Sequence, residues 1–335
     1  MAIAAVPEAQ LAWLPAWSVA LCTYNGAPYI EEQLRSILDA DVQCSQIVII
    51  DDASSDGTVE IVHAVARSTR IPFCIEVNAE NIGSARSFQR ALERTTAPIV
   101  FLADQDDLWD ARKPARMLEE FVRRQQLLLL HGDARLVDDD GNDLGTTLFD
   151  AIEVTAHERA TIHFGDAFDV FIKRNLATGA TLALRRSLLD VALPIPNAWV
   201  HDEWLATIAS AIGIVDFIEE PLTLYRQHGK NQIGARRLSL KEKINESTRR
   251  HGDYYIMREE RAAVLLERLI GLGPMAPPDR VIKAGAKLAH MHFRKGLPRN
   301  RVARVGPVLL ETLSGKYRRY STGWKSIVRD LFHVL

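Results

Sequence analysis

Several features that would narrow the class of this chain at once are scarce or missing. Its 335 residues hold three cysteines, Cys22, Cys44 and Cys74. An odd number without CxxC or Cys/His spacing excludes a disulfide framework and a zinc site, and fits a reducing compartment. Aromatic residues make up only 7%, and there is no internal repeat or low-complexity tract. The uncharged run Leu11 to Ile30 is broken by Pro15, Asn25, Gly26 and Pro28. It reads as a loop, a strand and a turn, so no transmembrane helix is expected. The N-terminus carries Glu8 and no Lys or Arg before its apolar residues, so no secretory signal and a cytoplasmic location are expected. No GxGxxG follows the first strand, which disfavours a dehydrogenase.

What is present is ordinary for a soluble globular protein, with 47% hydrophobic and 25% charged residues and enough length for two structural units. Charge divides them. Residues 1–232 carry 19 Lys+Arg against 34 Asp+Glu, and residues 233–335 carry 22 against 9. An acidic front suits a unit that holds a divalent cation; a basic tail suits phosphate-bearing partners.

The front alternates strand and helix signals. Ser18 to Thr23, Ile47 to Ile50, Phe73 to Val77 and Ile99 to Leu102 are short apolar strands, and amphipathic stretches from Tyr29, from Thr58 and after Gly83 separate them. This order predicts a mostly parallel sheet flanked by helices. In such sheets ligands sit at the carboxyl ends of the strands. The polar clusters fall there: Thr23-Tyr24-Asn25, Asp51-Asp52, Asn78 with Asn81, and Asp104-Gln105-Asp106-Asp107. Leu127 to Leu130 reads as a further strand, a helix is expected from near His201, and the segment beyond Gly234 reads as helical and basic, interrupted at Pro274, Pro277-Pro278 and Pro298.

Several carboxylates ending an apolar strand repel one another, and a hard cation that also ligates phosphate oxygens would relieve that cost. The plainer reading of Asp104 to Asp107 is a solvated loop capping a helix that begins near Asp110. Asp51 and Asp52 can accept hydrogen bonds from a nucleobase N–H or ribose hydroxyls, whereas Ser55 or Asp56 can cap the next helix. Asp138-Asp139-Asp140 reads as a turn, and Trp109, Trp199 and Trp204 as core residues rather than sugar-stacking ones.

Cys22-Thr23-Tyr24-Asn25-Gly26, Asp51 to Thr58, Asn81-Ile82-Gly83 and Asp104 to Asp107 together resemble the nucleotide-binding half of family 2 glycosyltransferases. His201-Asp202-Glu203-Trp204 and Tyr225-Arg226-Gln227-His228-Gly229 are similar to the bacterial rhamnosyltransferase-type subset. The resemblance covers about residues 18–232 and implies a GT-A fold, a nucleoside-diphosphate sugar, Mn2+ or Mg2+, and inversion at the anomeric carbon. It assigns Thr23, Tyr24, Asn25 and Asp52 to the nucleoside, and Gly83, Asp104, Gly179, Arg226 and His228 to the donor. It also assigns Asp106 and His228 to the metal, and Asp202 to the general base. Asp202 read alone is equally a helix N-terminal charge.

The expectation is therefore a catalytic domain over 1–232 and a basic helical region over 233–335. The enzyme is expected to move a sugar, with rhamnose the first guess, from a dTDP- or UDP-sugar to a polysaccharide or lipid-linked glycan. Two rivals are a sugar-nucleotide-forming nucleotidyltransferase, which lacks its Gly-rich phosphate loop here, and a non-catalytic nucleotide-sugar-binding scaffold, which needs no base. The basic tail, with Arg236-Arg237, Arg249-Arg250, Arg294-Lys295, Arg299, Arg301, Arg304, Arg318-Arg319 and Lys325, reads as peripheral contact with the cytoplasmic face of the inner membrane, or as docking onto the acidic front or a second subunit. Nucleic acid is not expected, since no recognition motif accompanies the charge.

Overall fold

The computed structural model describes residues 13–228 and 254–332. Glu8, Gly229, Arg236, Arg237, Arg249, Arg250 and the expected boundary at 232/233 lie outside the described residues.

A seven-stranded sheet in the order β10-β6-β9-β4-β1-β2-β3 forms the centre. β1 (Trp17–Thr23), β2 (Gln46–Asp51), β3 (Phe73–Val77) and β4 (Ile99–Ala103) are parallel, as the strand–helix alternation requires. Their alternate residues face opposite layers. Val19, Leu21, Ile47 and Ile49 pack with Ile30, Leu34 and Ile37 of α1 (Ile30–Leu38) and with Val62 of α2 (Thr58–Arg67). Ala20, Val48 and Ile50 pack with Phe88 and Leu92 of α3 (Ser84–Arg94). Both faces are covered, which explains why these strands read as nearly continuous apolar runs.

From β1 the chain builds outward through β2 and β3, then returns to the other side of β1 with β4. The carboxyl ends of β1 and β4 thus form a topological switch point, the place where open α/β sheets bind ligands. Beyond β4 the sheet is mixed: β9 (Ala183–Arg185) runs antiparallel to β4 and to β6 (Leu127–Gly132), and β6 is parallel to β10 (Ile214–Ile218).

A second, four-stranded sheet was not foreseen. It joins β5 (Leu108–Trp109), β11 (Thr223–Arg226), β7 (Arg135–Val137) and β8 (Asp143–Thr147). It ties the acidic loop directly to the segment ending in His228, because Thr223 pairs with Trp109. The helix expected near Asp110 starts instead at Lys113 (α4, Lys113–Arg123), where Pro114 fits the first turn; the Asp110 carboxylate pairs with Arg112 at 2.7 Å. The Asp138–Asp140 turn is present, with Asp138 accepting the N–H groups of Asp140 and Asn142.

α5 (His201–Ile212) lies against α3 and the core with ten of its twelve residues buried, so its first turn is a desolvated setting for a carboxylate. C-terminal to α5 the described α-helices are α6 (Tyr254–Gly271), α7 (Pro278–Lys295), α8 (Arg301–Leu313), α9 (Lys316–Tyr320) and α10 (Trp324–Phe332). α6 is anchored to the front by Arg268, which donates to the carbonyls of Val191 and Pro194. No described helix is long and apolar enough to cross a membrane.

Candidate active site

The loops leaving β1, β2 and β4 are locked to one another by their own polar side chains. Gln105, between the two acids, accepts the Tyr24 N–H at 2.8 Å and donates back to the Tyr24 carbonyl at 3.2 Å. This amide lies so close over Gly26 that a Cβ there would meet Gln105 Oε1 at 2.2 Å. Asn25, at φ 48°, donates its N–H to Ser54 Oγ and accepts the Ser55 N–H on Oδ1. Tyr24 leaves its ring half exposed at the rim. Gly26→Ala should displace the Gln105 amide and cost about 1–3 kcal/mol of stability, the scale of lost hydrogen bonds. Calorimetry on Gly26→Ala, Gln105→Ala and the double variant checks this: once Gln105 is gone, the Gly26 change should add little.

Asp51 and Asp52 serve different loops. Asp51 accepts the Thr23 hydroxyl at 2.6 Å and the Ser54 N–H at 2.8 Å, so the Thr23 hydroxyl, expected at the nucleoside, has its proton on Asp51 and its lone pairs left to accept. Asp52 accepts Asn78 Nδ2 at 2.7 Å and the N–H groups of Ile82 and Gly83 at 2.9 Å. Gly83 sits at φ 86°, a conformation that favours glycine, and opens α3. The Asn81-Ile82-Gly83 motif is thus the clamp on Asp52, and only part of the acceptor capacity of this carboxylate remains for a ligand. Asp52→Ala, which strands two N–H groups, should lower unfolding free energy by about 1–3 kcal/mol in urea titration.

Four carboxylates converge at the β4 end. Burial pushes Asp104 up to about 7, aided by the charges of Asp106 and Asp202 and opposed by Lys113. Asp107 is raised by burial and by Asp106 and Asp104; it accepts the Arg226 N–H at 2.9 Å, and its Oδ2 has no partner. Burial raises the pKa of the Tyr225 hydroxyl, and Asp107, Asp104, Asp106 and Asp202 raise it further, so all four lie within charge–charge range of it. Lys113 lies beneath them, donating to the Ala180 carbonyl at 2.6 Å, 3.9 Å from the centre of the Trp109 ring, and lowered by burial to about 7.

β11 closes the rim. Arg226, expected at the donor, directs its guanidinium at the carbonyls of Asp106 (3.0 Å) and Asp139 (2.6 Å) and at Glu32 (2.8 Å), and so holds the acidic loop in place. His228 Nε2 lies 2.8 Å from Asp106 Oδ2, its ring stacked on Tyr29 at 5.0 Å. Among the described residues no group of three His, Cys, Asp or Glu forms a ready cation cage. Asp106 and His228 could together supply two ligands to a cation whose remaining ligands are phosphates and water.

Asp202 sits in the first turn of α5, 8% exposed. Burial pushes its carboxyl up to about 7; the N–H groups of Glu203 (2.5 Å) and Gly179 (3.1 Å) and the Arg261 charge pull the other way, while the Glu203 charge adds to the rise. Gly179 can supply that N–H because it has no Cβ, which would meet His201 Nε2 at 2.9 Å. The His201 ring stacks on Phe88 at 3.9 Å; burial lowers it to about 3, so it is a neutral packing residue. Trp109, Trp199 and Trp204 are buried, as expected of core residues.

The structure thus gathers Asp104, Asp106, His228, Gly179 and Asp202 in one place, with Tyr24 and Asn25 at the adjoining rim. Thr23, Asp52, Gly83 and Arg226 also make contacts that hold the loops. Lys113 and Asp107 were missed: Asp107 was visible as part of the acidic run, whereas nothing local distinguished Lys113.

The fold is that of the GT-A class. The chain belongs to glycosyl transferase family 2, whose model matches residues 18–192. It is 33% identical over 112 residues (33% of this chain, 44% of that one) to TuaG of Bacillus subtilis, named as a teichuronic acid biosynthesis glycosyltransferase. It is 26% identical over 222 residues (64% and 65%) to an uncharacterised glycosyltransferase of Nostoc. These matches span less than two thirds of either relative. Among solved structures, S. aureus TarS 1–349 in complex with UDP-GlcNAc matches with a TM-score of 0.56 at 17% identity, covering 83% of this chain and 72% of that one. The mannosyltransferase PcManGT from Pyrobaculum calidifontis in complex with GDP-Man and Mn2+ matches at 0.53 and 20% identity, covering 96% and 87%.

Proposed function

We propose that this enzyme transfers a sugar from a nucleoside-diphosphate donor to a glycan hydroxyl with inversion, using a divalent cation. The observation that carries the reading is the meeting of Asp104, Asp106 and Asp202 around Tyr225, with Asp202 held by two backbone N–H groups at the start of a buried helix. A sugar hydroxyl is a poor nucleophile, so a carboxylate must take its proton as the new bond forms. Asp202 is that acceptor. Its raised pKa makes it a better base than an exposed aspartate and means that it must be ionised to act. Asp106 and His228 would hold Mn2+ or Mg2+, which when bound offsets charge developing on the departing diphosphate. Tyr24 and Asn25 receive the nucleoside, and the Gly179 turn shapes the space beside Asp202. Initial rates should therefore rise with pH through about 7 as Asp202 loses its proton, a limb that pH–rate profiles would locate.

UDP-GlcNAc in the TarS structure favours a UDP-linked N-acetylhexosamine; the rhamnosyl expectation finds no counterpart among these relatives, so dTDP-rhamnose is assayed beside it. A teichuronic acid relative supports a cell-envelope glycan as acceptor. Membrane contact is supported by α8, where Val302, Val305, Leu309, Leu310 and Leu313 share one face at 53–81% exposure, flanked by the exposed Arg299, Arg301, Arg318 and Arg319. Leu310→Glu with Leu313→Glu should abolish co-sedimentation with phosphatidylglycerol vesicles without lowering the melting temperature, since both side chains are exposed.

Product analysis after incubation with each donor, Mn2+ and a lipid-linked glycan pool tests the whole reading. Extension of the glycan with the opposite anomeric configuration supports it. Retention of configuration, or a product in which the nucleotide itself is joined to a sugar phosphate, counts against it.

A further inference from the structure

Two small abutting clefts lie between the front of the molecule and α6, α7 and the α9–α10 turn. They share three cations: Lys173 from the front, Arg258 from α6 and Lys287 from α7. Two further lining cations are already matched, Arg261 by Glu203 and Arg294 by Asp330, the latter at 2.7 and 2.8 Å. Glu203 is the one carboxylate on the lining.

The three shared cations have no carboxylate partner among the described residues. Lys287 is 8% exposed and donates only to the Tyr320 carbonyl; Arg258 Nε is buried without a partner; Lys173 makes no ion pair. Burial, with the charges of Arg258 and Arg294, holds Lys287 well below the usual lysine range, a cost that an anion in the cleft would relieve. Ser321, Thr322 and Ser326 add hydroxyls to the same wall. None of Asp104, Asp106 and His228 lines either cleft, whereas Glu203, next in sequence to Asp202, does.

We infer that this cleft binds a phosphate or diphosphate group through Lys173, Arg258 and Lys287. That the group belongs to the acceptor rests on the transferase reading and on the position of the cleft beside the turn that carries Asp202. The binding itself does not.

The test is calorimetry of the full chain in EDTA with two probes, inorganic pyrophosphate and farnesyl diphosphate. Arg258→Gln and Lys173→Gln, both at partly exposed positions, should each weaken binding about tenfold or more, as expected for lost charge-assisted hydrogen bonds, while Asp106→Asn leaves it unchanged. Tighter binding of farnesyl diphosphate assigns the group to a lipid carrier; equal binding assigns it to the phosphate alone; either supports the site. No binding of either probe overturns it, as does binding lost in Asp106→Asn but kept in Arg258→Gln. Because no transfer is measured, failure of the transferase reading leaves this result interpretable.

Discussion

Asp202→Asn is expected to lower the transfer rate about a hundredfold to ten-thousandfold, the usual contribution of a positioned general base, with nucleotide affinity unchanged. The neutral amide keeps nearly the same shape but cannot accept the hydroxyl proton. One local effect must be separated. Both carboxylate oxygens accept backbone N–H groups, from Glu203 and Gly179, so the amide turns an NH2 toward one of them. Asp202→Glu keeps a carboxylate with altered reach and should retain more activity than Asn. Its rate should still rise with pH, whereas the residual Asn rate should lose that dependence. If Asn and Glu lose activity equally with matching drops in melting temperature, Asp202 is holding the Gly179 turn rather than taking a proton.

The second large effect is expected at Asp106. Asp106→Asn should remove most of the gain in UDP affinity that Mn2+ confers, about tenfold to a hundredfold, with affinity in EDTA unchanged. His228→Gln should lower the same gain less, because the carboxylate remains. Arg226→Lys should act on both, through position rather than charge. The guanidinium fork reaches the Asp106 carbonyl, the Asp139 carbonyl and Glu32 together, and an ammonium cannot span these partners. A titration in which Asp106→Asn binds UDP with full Mn2+ dependence would remove Asp106 as a ligand.

How far the sequence foretold this depends on the range of the interaction involved. The four parallel strands were legible because each is a local apolar run with a helix period after it, and strand ends are where ligands bind. Their bounds differ from expectation by a residue or two, as with β4, which continues to Ala103. The second sheet was not legible. β5 is two residues long, and its partner β11 lies more than a hundred positions away in sequence, so no periodicity announces either. Lys113 was hidden for a related reason: its role comes from burial beneath acids in other loops. Thr23, Asp52 and Arg226 show a different difficulty. Their motifs were visible, but sequence pattern does not separate a group that touches a ligand from one that fixes the loop beside it. The structure adds a loop-fixing partner to each: Asp51 for Thr23, Ile82 and Gly83 for Asp52, and the Asp106 carbonyl for Arg226.

The most direct test is a crystal of the full chain grown with Mn2+ and UDP, with anomalous data collected at the manganese edge. The account predicts a single strong peak bonded to Asp106 and the UDP phosphates, the uracil end lying over Tyr24 and Asn25, and Asp202 facing the β-phosphate across an open space large enough for one sugar ring. A peak held by other residues, or a nucleotide seated where Asp202 cannot face its phosphates, would contradict it.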